Sequence, residues 1–304
     1  MTRTAAVLGA GTIGLSWAAL FAAHDLDVRV QDPRPDVREQ LDATVAQLAP
    51  VLGDGLGERI HVAPDLEAAV DGADVVQENG PERIELKQEL WARVEAAAPA
   101  SALLLSSTSG LMPSDMAARM LEPGRLLVGH PFNPPHVVPL VEVVPGAQTS
   151  PEQAQAAAEF YRSLGKVPVV LRKEIGGFVA NRLQSALFRE SIHLVLQGVV
   201  TPEELDQVVT ESVGVRWATA GPFESYHLGG GPGGIRHLLE HLGPGMARRW
   251  KDLGQPELSD DLVDRVSADT EARFADRDYA TRTADRDQVQ LAVLAAREQA
   301  RSHG

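Results

Sequence analysis

The chain has 304 residues, 44% of them hydrophobic, with a formal net charge of -14 and no cysteine. That length supports one large domain or two ordinary ones around substantial cores. An acidic surface repels nucleic acid and anionic membranes, and the absence of cysteine excludes disulfides, thiolate zinc sites and a cysteine nucleophile. Small molecules are the expected ligands, and the cytoplasm is the expected compartment.

The apolar opening from Ala5 to Ala23 is interrupted by Gly9, Gly11 and Gly14 and followed by Asp25 and Asp27, so it reads as soluble core rather than as a leader or membrane span. Short β-branched or aliphatic runs at 5–8, 28–30, 73–76, 103–105, 126–128, 141–144 and 167–170 then alternate with helical stretches. This pattern predicts an α/β chain with a mainly parallel, doubly wound sheet of the Rossmann type. After Gly176-Gly177 the strand signal ends. A helical period starts with Phe178, Leu183, Leu187, Ile192 and Val195, and Thr201-Pro202 suits the start of another helix. The expected organisation is a cofactor-binding Rossmann domain over 1–173 and an all-helical C-terminal domain over 174–304, whose broad apolar faces suit substrate binding and a homodimer interface.

Gly9-Ala10-Gly11-Thr12-Ile13-Gly14 stands between the first strand and a helix. Gly9 permits the tight turn, Gly11 lets backbone approach a pyrophosphate, and Gly14 lets helix and strand pack closely, while the N–H groups of the helix start, through Thr12 and Ile13, face the anion. Asp32 ends the second strand, where a carboxylate accepts hydrogen bonds from ribose hydroxyls and repels a 2′-phosphate. NAD is therefore expected over NADP. Arg34, two residues further on, is read as a solvated residue opening the next helix.

His130, in His130-Pro131-Phe132-Asn133-Pro134-Pro135, falls just after one strand signal, and Glu142 falls within the next. Adjacent strand ends can bring them together. Exchange of a hydride with a carbinol needs a partner for the hydroxyl proton, and an imidazole titrates in the right range. A carboxylate on its other nitrogen sets the tautomer and stabilises the imidazolium. Burying that carboxylate in an apolar strand without a partner would be costly.

These motifs resemble the 3-hydroxyacyl-CoA dehydrogenase family over nearly the whole chain. The H-x-F-N-P and L-V-E-V patterns fall on His130 and Glu142, and the resemblance makes them the catalytic dyad. It also makes Ser109, from the S-x-T-S segment at 106–109, a hydroxyl touching substrate, cofactor and histidine. Asn133 and Asn181, the latter in Gly177-Phe178-Val179-Ala180-Asn181-Arg182, match family asparagines on the cofactor and catalytic sides. Glu82 matches an acidic position near the nicotinamide, and Lys87 of the same segment joins it as a cofactor-binding candidate. Gly221-Pro222-Phe223-Glu224 is a further family signature.

The stretch from His130 to Glu142 resembles the L-gulonate 3-dehydrogenase and lambda-crystallin branch. That from Tyr226 to His237 resembles L-carnitine dehydrogenases and the ketoreductases that reduce a β-keto acid in aromatic polyketide pyran-ring formation. What the resemblance implies is an NAD-dependent interconversion of a 3-hydroxy and a 3-oxo group on a small or aromatic acid. The alternatives are a polyketide ketoreductase, a 3-hydroxyacyl-CoA dehydrogenase proper, and a catalytically silent, crystallin-like NAD-binding protein. Arg216 and Arg236 flank the glycine run at 229–231 and are the candidate carboxylate-holding cations. Residues 36–63, where the fatty-acid enzymes carry a lysine-rich insertion, hold no lysine, two arginines and five acids. Coenzyme A is accordingly not expected to be required.

Overall fold

Four of the five residues of β1 (Thr4–Leu8) are buried, because a strand with helices on both faces has no side to expose. The computed structural model describes residues 3–302 and places this strand inside an eight-stranded sheet of order β3-β2-β1-β4-β5-β6-β7-β8. Along the chain β1 is followed by α1 (Thr12–Ala23), β2 (Asp27–Gln31), α2 (Val37–Leu52), β3 (Ile60–Val62), α3 (Leu66–Val70), β4 (Val75–Glu78) and α4 (Ile84–Ala97). Then come β5 (Leu103–Ser106), α5 (Pro113–Met116), β6 (Leu126–Pro131), β7 (Leu140–Pro145), α6 (Pro151–Ser163) and β8 (Val167–Val170).

Neighbouring strands run parallel except β6 and β7, so the sheet is the expected doubly wound one. β3 was not foreseen. Three residues at the sheet edge, with only Ile60 buried and His61 interrupting the apolar run, are too short to be read from sequence. One core layer joins Trp17, Phe21, Val28, Leu41, Phe160 and Tyr161 on the side of α1, α2 and α6. The opposite layer gathers Leu66, Trp91, Met116 and Phe178 with the other faces of the strands. Helix α1 is buried from Gly14 to Ala22, which is why its sequence is largely apolar all round rather than amphipathic.

Gly129 in β6 sits beneath Tyr161, and a Cβ there would stand 1.8 Å from the phenol oxygen. The ring cannot swing aside freely, since it is fully buried and packs against Trp17 and Phe160.

The chain separates into two compact units, one ending at Asn181 and one beginning at Arg182. Residues 174–181, beyond the domain end expected at 173, stay with the sheet for a local reason. The backbone of Val179 and Ala180 is hydrogen-bonded to Glu142, and the Phe178 ring lies 5.3 Å from that of His130. Phe178 therefore does not open the helical period as read from sequence; its φ is +49°, and α7 (Ala180–Leu196) begins after it.

The second unit is helical throughout, as expected. α8 (Pro202–Val208) carries a complete capping box from Thr201 and Glu204. It runs through a π-helical turn, Val209–Gly214, into α9 (Val215–Thr219), and is followed by α10 (Pro222–Gly229), α11 (Gly234–Asp252), α12 (Asp260–Phe274) and α13 (Tyr279–Ser302). Among the described residues no helix is long and apolar enough to cross a membrane.

Gly129→Ala should destabilise the first unit by about 1–3 kcal/mol, the range for forcing atoms into a packed core. A thermal unfolding midpoint equal to that of the unaltered chain would show that Tyr161 is free to move.

Candidate active site

The strand order reverses between β1 and β4, and ligands of such sheets bind beyond the carboxyl ends of the strands at that point. The glycine loop lies there. Gly9 has φ +92°, and a Cβ on it would come within 2.9 Å of the Asn79 backbone. One on Gly14 would stand 1.9 Å from the Gly9 carbonyl oxygen, so these two positions are closed by the protein itself. Gly11 differs. No atom lies within 4 Å of a Cβ built on it, and helix α1 starts there without a side-chain cap. The N–H groups of its first turn, at Thr12 and Ile13, are left for an anion.

A cleft of about 820 Å³ opens beside this loop, lined among others by Gly9, Gly11, Asp32, Arg34, Asn79 and Lys87. The side-chain oxygen of Asn79 is buried in it without a protein partner, an acceptor left for a ligand. Asp32 Oδ2 accepts from the Ala10 N–H at 2.7 Å, and Oδ1 accepts from Arg34 Nε at 2.8 Å. Burial opposes its ionisation, but hydrogen bonds from the Arg34 side chain and from the Ala10 and Arg34 backbone prevail and hold the carboxyl below its usual range. Arg34 is exposed, as read from sequence, and it is also paired. Its guanidinium clasps Asp32 and donates to the Ala10 carbonyl at 2.8 Å. An open helix start, a carboxylate at the end of β2 and an unpaired buried acceptor together suit a dinucleotide.

His130 and Glu142 stand directly opposite each other in the antiparallel ladder of β6 and β7. His130 lies inside β6 and not after it, as the sequence suggested, because pairing with β7 prolongs the strand through Pro131. Nδ1 of His130 lies 3.0 Å from Glu142 Oε2, and both side chains are buried. The other carboxylate oxygen accepts from Val179 N–H at 2.9 Å and Ala180 N–H at 3.0 Å. Burial favours the neutral acid, yet the bonds from His130, Ala180 and Val179 outweigh it and keep Glu142 below its ordinary value. An ionised carboxylate only accepts, so Nδ1 carries the proton and Nε2 is left available.

Glu82 brackets the serine loop. One of its oxygens accepts from the Thr108 hydroxyl, from Ser109 N–H at 3.0 Å and from Gly110 N–H at 3.1 Å. Asn181 in turn donates to the Ser109 carbonyl at 3.1 Å. The structure therefore links Glu82, Ser109 and Asn181 by hydrogen bonds, and Asn181 is next in the chain to Ala180, which holds Glu142. Asn133 is exposed in the turn after β6. Lys87 is 2% exposed and bonded to Glu78 at 2.6 Å, with Glu82 at 3.7 Å. Its ammonium supports the two loops from below rather than lying open to a ligand.

Glu78 escaped the sequence reading. It also accepts from Gly80 N–H and the Ser106 hydroxyl, both at 2.6 Å. Lys166 escaped it too, although it donates to the carbonyls of Pro135 and Val138 and so ties down the turn that follows His130. A glutamate ending an apolar strand was the available signal for Glu78; nothing local marks Lys166. Arg216 and Arg236 lie exposed on the second unit, and Arg236 is paired with Glu240 at 3.7 Å, an exposed contact of little energetic value. Of the glycines near them, Gly230 serves local packing, since a Cβ on it would meet the Gly234 carbonyl at 1.9 Å, whereas Gly231 has open space around it.

Fold and cleft define a dinucleotide-dependent dehydrogenase. Residues 4–175 match the model of the 3-hydroxyacyl-CoA dehydrogenase NAD-binding domain, and residues 177–276 match that of the C-terminal domain of the same enzyme. An L-carnitine dehydrogenase of Streptomyces griseus is 44% identical, with 97% of this chain and 90% of that protein aligned. One from Pseudomonas putida is 42% identical over 99% and 96%. Among solved structures, an NAD-dependent 5-formyl-3-hydroxy-2-methylpyridine 4-carboxylic acid 5-dehydrogenase superposes with TM-score 0.77 at 28% identity, covering 98% of this chain and 99% of that one. The chain belongs to the 3-hydroxyacyl-CoA dehydrogenase family, and it is an NAD-dependent oxidoreductase.

Glu142, held below its ordinary value of 4.5, contributes stability that is complete above about pH 4.5 and is lost as pH falls through the lowered folded value. Glu142→Gln removes that component, so its unfolding midpoint should fall less steeply on acidification than that of the unaltered chain. Parallel acid limbs for the two proteins would show that the carboxylate is not stabilised by its partners.

Proposed function

We propose that the chain interconverts 3-hydroxy and 3-oxo groups on a small or aromatic carboxylic acid that need not carry coenzyme A, with His130 and Glu142 as its proton-handling pair. The observation that carries this reading is the buried hydrogen bond between Nδ1 of His130 and Glu142, which leaves Nε2 for a substrate oxygen. Nε2 would take the hydroxyl proton during oxidation and return it to the developing alkoxide during reduction. Glu142, kept ionised, would stabilise the imidazolium and hold the ring in the productive tautomer. Bound NAD supplies hydride exchange at its nicotinamide ring. Gly9, Gly11, Gly14 and the first-turn N–H groups of α1, from Thr12 and Ile13, would hold the pyrophosphate, and Asp32 the adenosine ribose. Glu82 would keep Ser109 at the mouth of the site through the loop it brackets, with Asn133 and Asn181 beside it.

Two sets of observations support a free acid. The relatives at 42–44% identity are named for L-carnitine, and the solved relative at TM-score 0.77 for a pyridine carboxylic acid. Within residues 36–63, Arg38 lies 3.9 Å from Asp42, and Arg59 is bonded to Asp25 at 2.9 Å and lies 3.7 Å from Asp27. Neither arginine is a free clamp for coenzyme A phosphates. Carnitine, L-gulonate, 3-hydroxybutyrate and an aromatic β-keto acid are the substrates to compare first.

The second unit also leaves large apolar side chains in water, among them Phe223 at 82%, Leu228 at 67%, Trp250 at 64% and Leu242 at 60% exposure. Surfaces of that kind mark interaction sites, and a second copy of the chain is the expected partner.

His130→Ala should fold, bind NAD and lose roughly 10²–10⁴-fold in turnover of the free acid; full turnover would remove His130 from the chemistry. In the unaltered chain, a preference of about 100-fold or more in kcat/KM for a coenzyme A thioester over its free acid would contradict the substrate reading. A homodimer mass in solution is expected, and a monomer mass at micromolar concentration would contradict that interface.

A further inference from the structure

A buried polar chain in the first unit ends on Ser107, the variable position of the S-x-T-S segment. Tyr161 of α6 is 2.7 Å from Gln77 Oε1, Gln77 Nε2 is 2.8 Å from Ser107 Oγ, and Trp17 Nε1 of α1 is 3.1 Å from the same oxygen. Tyr161, Gln77 and Trp17 are inaccessible to solvent, whereas Ser107 is only partly buried.

The direction of each bond follows from what each group can do. An indole N–H can only donate. The Tyr161 hydroxyl has Gln77 as its polar partner among the described residues, and leaving its proton unpaired in the core would be costly. Burial also drives the phenol above its ordinary value, so it keeps that proton. Tyr161 must therefore donate, which turns the Gln77 oxygen toward it and the Gln77 nitrogen toward Ser107. Ser107 Oγ then accepts twice, from Trp17 and from Gln77, and both lone pairs are filled. Its own proton has to point away from the chain, and among the described residues none accepts it.

Ser107 directly follows β5, and its N–H is bonded to the Glu78 carbonyl at the end of β4. The glycine loop at β1 would hold the pyrophosphate and Asp32 after β2 the adenosine, so β4 and β5 lie on the nicotinamide side of the switch point. Contact with Trp17 puts the Ser107 side chain on the α1 side of the sheet.

We propose that Ser107 is a fixed hydrogen-bond donor to the nicotinamide half of bound NAD, with the carboxamide oxygen as its acceptor. The inference rests on the chain binding NAD through its glycine loop. Three buried residues, none of them lining the cleft beside the glycine loop, set the donor's direction before the ligand arrives. A donor aimed in advance loses little freedom on binding.

The test measures the affinity of NADH and of ADP-ribose, which lacks the nicotinamide, for the unaltered chain, Ser107→Ala and Tyr161→Phe, with thermal unfolding alongside. Ser107→Ala should weaken NADH about three- to tenfold, the span of one net neutral hydrogen bond, and leave ADP-ribose unchanged. Tyr161→Phe should act in the same direction from a distance, because the Gln77 amide, no longer held by the phenol, can flip its oxygen toward Ser107 and draw the Ser107 proton inward. Equal losses for both ligands would reduce the network to structural support and overturn the proposal. So would unchanged NADH affinity, including the case in which only the KM for the hydroxy acid rises, which would move the acceptor to the substrate. Failure of the unaltered chain to bind either ligand would instead sink the cofactor reading on which the proposal stands.

Discussion

A carboxylate inside an apolar strand must find partners or give up its charge, and Glu142 finds three. One oxygen is matched to His130 across the β6–β7 ladder, and the other takes the N–H groups of Val179 and Ala180. That arrangement has a structural consequence as well as a chemical one. It fastens the segment after β8 to the end of the sheet, and this is why residues 174–181 belong with the first unit. The same contacts put Phe178 against the imidazole, so the ring is held by a hydrogen bond on one edge and by aromatic neighbours, Phe132 and Phe178, around it.

Acidic side chains do similar work elsewhere around the strand ends. Glu82 gathers three successive groups of the serine loop, and the buried Glu78–Lys87 pair supports the loops after β4 and β5. A buried ion pair is weak evidence for stability, but one carrying further bonds to Gly80 and Ser106 restricts where those loops can lie. Loop placement matters here because positioned groups contribute to rate only when their geometry is held to fractions of an ångström.

Family membership and the cleft establish an NAD-dependent oxidoreductase. Substrate choice depends on finer features. The paired arginines of residues 36–63 and the names of the relatives favour a free acid over a coenzyme A thioester. The proton handling proposed for His130 would be the same for either substrate, since it concerns only the hydroxyl or carbonyl at the reacting carbon.

Sequence alone determined the α/β class, the glycine loop with Asp32, and the neighbourhood of His130 and Glu142. Each rests on local signals: short continuous apolar runs, glycines at fixed offsets, and a histidine and glutamate in adjacent strand signals. What sequence could not supply was the state of groups whose partners are far along the chain. Lys87 reads as an open cation until Glu78 is seen against it. Arg34 is the surface residue it reads as, but nothing local shows that it closes on Asp32. Ser107 reads as one serine among several until Tyr161, 54 positions away, fixes its proton through Gln77. Only the tertiary structure decided these cases, because the direction of a hydrogen bond depends on every donor and acceptor within about 3 Å, and that neighbourhood exists only once the sheet and its helices have packed.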